Sequence, residues 1–220
     1  RTSSGMADGS GICRGFGKPG VLYHISHVGK RAFSLGGFSE KGGENPLKTI
    51  LETERLLLRE MEEGDYEGLC RMLRDPEVMY AYEHAFTEEE AWAWLYNQIR
   101  RYKEEGFGLW AVILKETGDM IGQCGLTMQP YGEKRVVEVG YLFQKSYWHK
   151  GYATEAAIAC KNHAFYALDI PVVYSIIRDQ NEASQHVAER NGMKRVDKIV
   201  KHYYGMDMPH WVYRADRPVQ

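Results

Sequence analysis

The segment YWHKGYATEA, Tyr147 to Ala156, passes from bulky aromatic and basic residues to Gly151, Ala153 and Thr154 where a helix is expected to begin. The first amides of a helix have no partner within it, and together they carry roughly half a positive charge. A diphosphate set there gains several hydrogen bonds from the backbone alone, provided small side chains let it approach. Gly151 and Ala153 meet that need, and Thr154 adds a hydroxyl in the first turn. The chain has no G-x-x-x-x-G-K-[ST] loop, and a lone glycine is not a dinucleotide fingerprint. Taken alone, a plain strand-to-helix turn is the stronger reading of this segment.

A second stretch, NEASQHVAERNGM (Asn181 to Met193), places Asn181 as a helix N-cap and Gly192 as its stop. A third, YAYEHAF (Tyr80 to Phe86), gathers aromatic residues after Pro76. Aromatics at such spacing are more often core than ligand contacts, although Tyr82, Glu83 and His84 could read a cationic amine. His24 and His27 form the one closely spaced histidine pair, with nothing beside them to complete a metal site, so no metal is expected.

The elements that must hold these segments are legible in part. ERLLLREM alternates as a first strand, and EEGDYEGLCRML reads as a helix ending before Pro76. TEEEAWAWLYNQIRRYKEEG begins with Thr87 and Glu90 at capping-box spacing, presents Trp92, Leu95 and Ile99 on one face, and stops at Gly106. GLWAVILKE, DMIGQCGLTMQ and RVVEVGYLFQ form an antiparallel meander turned by ETGD and PYGEK. The helix after Gly151 runs to about Leu168 with Ala157, Cys160, Ala164 and Leu168 on one side. VVYSIIR, the helix from Asn181, and the strands KRVDKIVKHYY and HWVYRA complete the chain. The predicted class is α/β: a mixed, mostly antiparallel sheet of six or seven strands, with helices on both faces and one strand–helix–strand crossover.

Charge and composition narrow the function. The net charge of −2 over 220 residues offers no general pull on nucleic acid or anionic lipid, so an anion site must be local. No stretch approaches the roughly 18 apolar residues of a membrane span. Four scattered cysteines without C-x-x-C suggest reduced thiols and a cytoplasmic setting. Residues 1–46 hold 11 of the 23 glycines and six basic against three acidic residues, and read as a flexible leader to a single domain over 47–220.

From about Leu51 to Ala215 the chain resembles the GNAT superfamily of acyl-CoA-dependent N-acyltransferases, and in particular its Rim-type ribosomal-protein acetyltransferase branch. LETERLLLREMEEGDYEGL, VEVGYLF with YWHKGYATEA, and DQNEASQHVAERNGM carry the likeness in order. The resemblance implies acetyl-CoA as acyl donor. Tyr141, Leu142 and Phe143 would pair with its pantetheine arm, and Lys150, Gly151, Tyr152, Ala153 and Thr154 would hold its diphosphate. It also implies that Asn181 bonds the arm and that Ser184 gives a proton to the departing thiolate. The family pattern Q/R-x-x-G-x-G/A is occupied here by Trp148 to Ala153, with His149 where relatives usually carry glycine. A positive φ at that position would strain a histidine; otherwise its imidazole could approach a phosphate of the coenzyme.

Acyl transfer from a thioester to an amine needs a neutral amine, a polarised carbonyl and a protonated leaving thiolate. Glu138, two residues before Gly140 on the strand entering the coenzyme segment, is the leading base, with a solvated strand glutamate as the alternative. A backbone N–H near Leu142 is the expected polarising donor. His202, on the later VKHYY strand, is a second candidate for the base and, with Tyr82 and Glu83, a candidate for binding the acceptor. The acceptor is an amine of unspecified identity, on a protein N-terminus or a small molecule, and the chain is expected to be a monomer or homodimer. A non-catalytic acyl-CoA sensor would be expected to lack Asn181 and Ser184, and both are present.

Overall fold

The computed structural model describes residues 48–82, 84–203 and 205–219. The expected leader over 1–46 and the candidate Glu83 lie outside them. Twelve helices and strands follow in the order β1 (Thr49–Glu52), β2 (Leu56–Arg59), α1 (Tyr66–Leu73), α2 (Glu88–Glu104), β3 (Leu109–Leu114), β4 (Met120–Tyr131), β5 (Lys134–Phe143), α3 (Tyr152–Tyr166), β6 (Val172–Arg178), α4 (Glu182–Arg190), β7 (Lys194–Tyr203) and β8 (Met206–Asp216).

The strands form one eight-stranded sheet in the order β1-β2-β3-β4-β5-β6-β8-β7. Every neighbouring pair is antiparallel except β5 and β6, which are parallel and joined through α3. The sheet has one strand more than the expected maximum, because the short strand β1 precedes the single strand predicted and formed at ERLLLREM. β1 is only four residues long and has no buried side chain, so alternation cannot reveal it. The hairpin turn PYGEK is also tighter than predicted: Pro130 and Tyr131 stay in β4, leaving Gly132, at φ 60°, and Glu133 outside the strands.

Each face of the sheet has its own core, as the period-two alternation of strands requires. Trp110, Val112, Cys124, Leu126, Val139 and Phe143 pack against Ala156, Ala157, Cys160, Ala164 and Phe165 of α3. Leu109, Ala111, Met120 and Leu142 pack instead with Leu69, Met72, Leu73, Ala91 and Leu95 of α1 and α2. The capping box at Thr87 and Glu90 forms as expected and fixes the start of α2. The small residues Ala156, Ala157, Cys160 and Ala164 let α3 pack closely on the face that carries Cys124 and Leu126 of β4 and Val139 and Phe143 of β5.

Candidate active site

β5 and β6 are in register at one pair, Glu138 and Tyr174, and then separate. Beyond that pair the β6-facing edge of Tyr141–Phe143 has no strand partner among the described residues. Two side chains plug the floor of the gap: Ser175 Oγ donates to the Val139 carbonyl at 2.8 Å, and the Ile176 N–H donates to Glu138 Oε1 at 2.9 Å. The unpartnered backbone above them is where an extended arm rich in amides could pair as a strand would.

Glu138 is half-buried and hydrogen-bonded to the next strand, not a freely solvated strand residue. Thr127 Oγ1 donates to its second oxygen at 3.4 Å. Burial pushes its carboxyl above the ordinary range, although Lys201, the two hydrogen bonds and Arg101 all pull the other way. A carboxyl raised toward neutrality in a cleft is suited to accepting a proton.

At the other end of the gap the turn before α3 takes an unusual backbone shape. His149 has φ 61° and Gly151 φ 82°, so two left-handed residues flank Lys150. Gly151 is the N-cap, and the bond from the Glu155 N–H to its carbonyl is the first of the helix. The amides of Tyr152, Ala153 and Thr154 thus lack partners within α3. Successive N–H groups in such a turn form an anion-binding concavity. His149 bears the strain of a left-handed backbone, at a cost of about 1–2 kcal/mol for a residue with a Cβ. Its side chain is exposed. Trp148 holds the turn from the other side, its indole N–H donating to the Phe143 carbonyl at 2.8 Å.

The remaining sequence candidates divide into backbone and side-chain roles. Tyr141 donates its hydroxyl to the Ser184 carbonyl at 2.6 Å, which leaves its backbone as the part able to pair with an extended arm. Phe143 and Leu142 bury their side chains in opposite cores. Tyr152 lies beneath the Arg55 guanidinium, 4.5 Å from the ring centroid. Asn181 Oδ1 caps α4 through the Ser184 N–H at 3.0 Å and accepts the Tyr80 hydroxyl at 2.7 Å. Ser184 is thereby fixed through both its N–H and its C=O.

Tyr82 meets Phe86 and Trp94 edge-on at 6.3 and 6.1 Å, and part of its ring is exposed. His202 pairs with Asp207 at 2.8 Å near the exposed end of the β7–β8 hairpin. Alternation puts its neighbour Lys201 on the opposite face, and it is Lys201 that lies within electrostatic reach of Glu138. The structure thus separates His202 from the Glu138 face, because adjacent strand residues cannot share one.

Five residues that no sequence pattern singles out contribute to the site. Tyr80 reaches Asn181 across about a hundred residues of chain. Thr127 and the Ile176 amide position Glu138. Thr53 and Arg55, in the turn between β1 and β2, grip Glu155 in the first turn of α3. None leaves a local signal, since periodicity reports burial and not which distant residue a polar group meets.

Residues 55–194 match the family described as Acetyltransferase (GNAT) domain. The chain is 37% identical over 147 residues to YkkB of Bacillus subtilis (strain 168), covering 66% of this chain and 86% of that protein. It is 31% identical over 146 residues to the N-acetyltransferase YnaD of the same organism, covering 66% and 82%. Among solved structures, RimL, a ribosomal-protein alpha-N-acetyltransferase in complex with coenzyme A, superimposes with a TM-score of 0.64 at 17% identity, over 77% of this chain and 98% of that one. At that identity the likeness speaks for the fold alone.

Proposed function

Because the chain belongs to the GNAT acetyltransferase family, we propose that it is an N-acetyltransferase that transfers the acetyl group of acetyl-CoA to a primary amine by direct attack in a ternary complex. The observation that carries this reading is the parting of β5 from β6 after Glu138 and Tyr174, with a left-handed, amide-rich turn at its end and a raised carboxyl at its floor.

The residues fit the coenzyme. The open edge of Tyr141–Phe143 takes the pantetheine arm, and the amides from Gly151 to Thr154, with Lys150 beside them, take the diphosphate. Bound acetyl-CoA supplies the activated acetyl thioester. Glu138 accepts the proton of the incoming amine at a carboxylate oxygen, directly or through one water. The Tyr141 and Phe143 N–H groups, on the same side of β5 as the Val139 carbonyl that Ser175 reaches, stabilise negative charge on the carbonyl oxygen, whereas the Leu142 N–H lies on the β4 side with that of Gln144. Ser184, held on the first turn of α4, delivers a proton toward the leaving sulfur. Tyr82 and the aromatic residues around it form the acceptor side. The free thiols at Cys70, Cys124 and Cys160 fit a cytoplasmic setting.

A panel of primary amines, including peptide N-termini, amino acids and polyamines, assayed for acetyl-CoA-dependent release of free thiol, tests this reading. Release that depends on an acceptor amine supports it. Binding of CoA with no release for any amine favours a non-catalytic acyl-CoA sensor.

A further inference from the structure

The turn between β1 and β2 makes a dense set of contacts to the first turn of α3. Thr53 Oγ1 donates to Glu155 Oε1 at 2.6 Å, and the Arg55 N–H donates to the same oxygen at 3.0 Å. Arg55 Nε donates to Glu155 Oε2 at 2.7 Å, with Nη2 at 2.6 Å from that atom. Its remaining nitrogen, Nη1, donates to the Lys150 carbonyl at 3.0 Å. Lys115 secures the turn in its place through the Thr53 carbonyl, 2.7 Å away.

We propose that Arg55 is a positioning residue for the coenzyme, acting with Thr53 and Glu155 to aim the amides of the turn before α3 and to neutralise the carboxylate that stands behind them. The proposal rests on the coenzyme reading of that turn.

Two physical arguments carry it. In a trans peptide the C=O and N–H point in opposite directions. By holding the Lys150 carbonyl, Arg55 turns the Gly151 N–H away from itself and fixes the plane of the peptide that joins the two left-handed residues' segment. That hold also opposes relaxation of the strained His149. The second argument is charge. Glu155 sits one turn into α3, where an unpaired carboxylate would repel a diphosphate at the helix N-terminus. The forked guanidinium meets Oε2 through Nε and Nη2 while Nη1 reaches the backbone, and Thr53 Oγ1 with the Arg55 N–H holds Oε1; a lysine cannot do the guanidinium's part with a single nitrogen. Arg55 reaches Lys150 and Glu155 across 95 and 100 residues of sequence, so this arrangement exists only in the folded protein.

The test compares CoA and dephospho-CoA binding by calorimetry in the wild type, Arg55→Ala, Arg55→Lys and Arg55→Ala/Glu155→Gln. Loss of these charge-assisted bonds is expected to raise Kd for both ligands about 10- to 100-fold in Arg55→Ala. Arg55→Lys should recover only part of that, and removing the stranded carboxylate in the double variant should recover part as well. Steady-state kinetics should show KM for acetyl-CoA rising with kcat nearly retained, and hydrogen exchange should rise in 149–155 while the sheet stays protected. Arg55→Lys carries the comparison if Arg55→Ala fails to fold. Wild-type-like binding by the variants would overturn the proposal. So would a loss confined to CoA and absent for dephospho-CoA, because that marks direct contact with the 3′-phosphate. Failure of the wild type to bind either ligand would instead remove the coenzyme reading, and the proposal with it.

Discussion

Glu138 and Tyr174 form the one register pair between β5 and β6 among the described residues, and the carboxyl of Glu138 bonds to the Ile176 amide just beyond it. The last point of strand pairing and the candidate base therefore coincide. A single parallel pair would be a weak joint in a sheet, and it is the side chains of Glu138 and Ser175 that hold the parted strands at a set distance.

Glu138→Gln is expected to lower kcat by about 10²- to 10⁴-fold, the usual worth of a general base. The sign of the pH dependence follows from burial, which raises the Glu138 carboxyl against the pull of Lys201, its hydrogen bonds and Arg101. The active form is deprotonated, so the rate should climb as pH rises through that raised value. In the variant this limb should vanish, leaving only the ionisation of the acceptor amine. Profiles of kcat against pH for the two proteins check this.

Ser184→Ala should reduce turnover far more than affinity for acetyl-CoA. The Ser184 contacts in the structure run through its backbone, which alanine keeps. A Kd near that of the wild type with a much lower kcat is the expected pair of measurements. An unchanged kcat would clear Ser184 of the proton-donor role.

Acetyl-CoA at about 100 times its Kd should stabilise the native protein by about 2.7 kcal/mol, since a ligand bound only by the folded state adds its binding free energy. Thermal unfolding with and without acetyl-CoA measures it. An unmoved Tm at saturation would remove the coenzyme site.

His149→Gly should stabilise the free protein. The left-handed φ of 61° costs a residue with a Cβ about 1–2 kcal/mol, and glycine's greater unfolded-state entropy offsets about 0.5–1 kcal/mol of that gain. Urea unfolding midpoints at equal m-values provide the comparison. A lower midpoint would show that the imidazole makes up for the strain through a contact of its own.

Glu155 titrates in the opposite sense to Glu138. Burial works to raise its carboxyl, but the Thr53 and Arg55 donors and the Arg55 charge outweigh this and hold it below its ordinary value. A depressed folded value means stability that is present above the unfolded pKa, about 4.3, and lost as pH falls through the folded value. The difference in Tm between the wild type and Glu155→Gln should therefore shrink on acidification below about pH 4.3. Thermal scans from neutral pH to pH 3 check this.

The strands and helices were legible because each announces itself locally. Leu109 to Leu114 alternates between two cores, Thr87 and Glu90 cap a helix, and Asn181 and Gly192 bound another. β1 escaped because four part-exposed residues carry no alternation to read. The small residues at Gly151 and Ala153 and the anomaly at His149 were also visible, since they are matters of residue type. Which candidates meet was not visible, as His202 illustrates: one step along β7 separates its face from that of Lys201.

Helix caps, alternation and small residues act over a few positions, so every element but β1, and the amide-bearing turn at Gly151, can be read from the letters alone. The folded chain adds that β5 and β6 part after Glu138, that burial raises that carboxyl, and that Arg55 clamps Glu155 and Lys150. Those features depend on groups brought together from 38 residues apart, for Glu138 and the Ile176 amide, to 100 residues apart, for Arg55 and Glu155. Hydrogen bonds and desolvation act through space, and the spacing of letters along a chain does not record them.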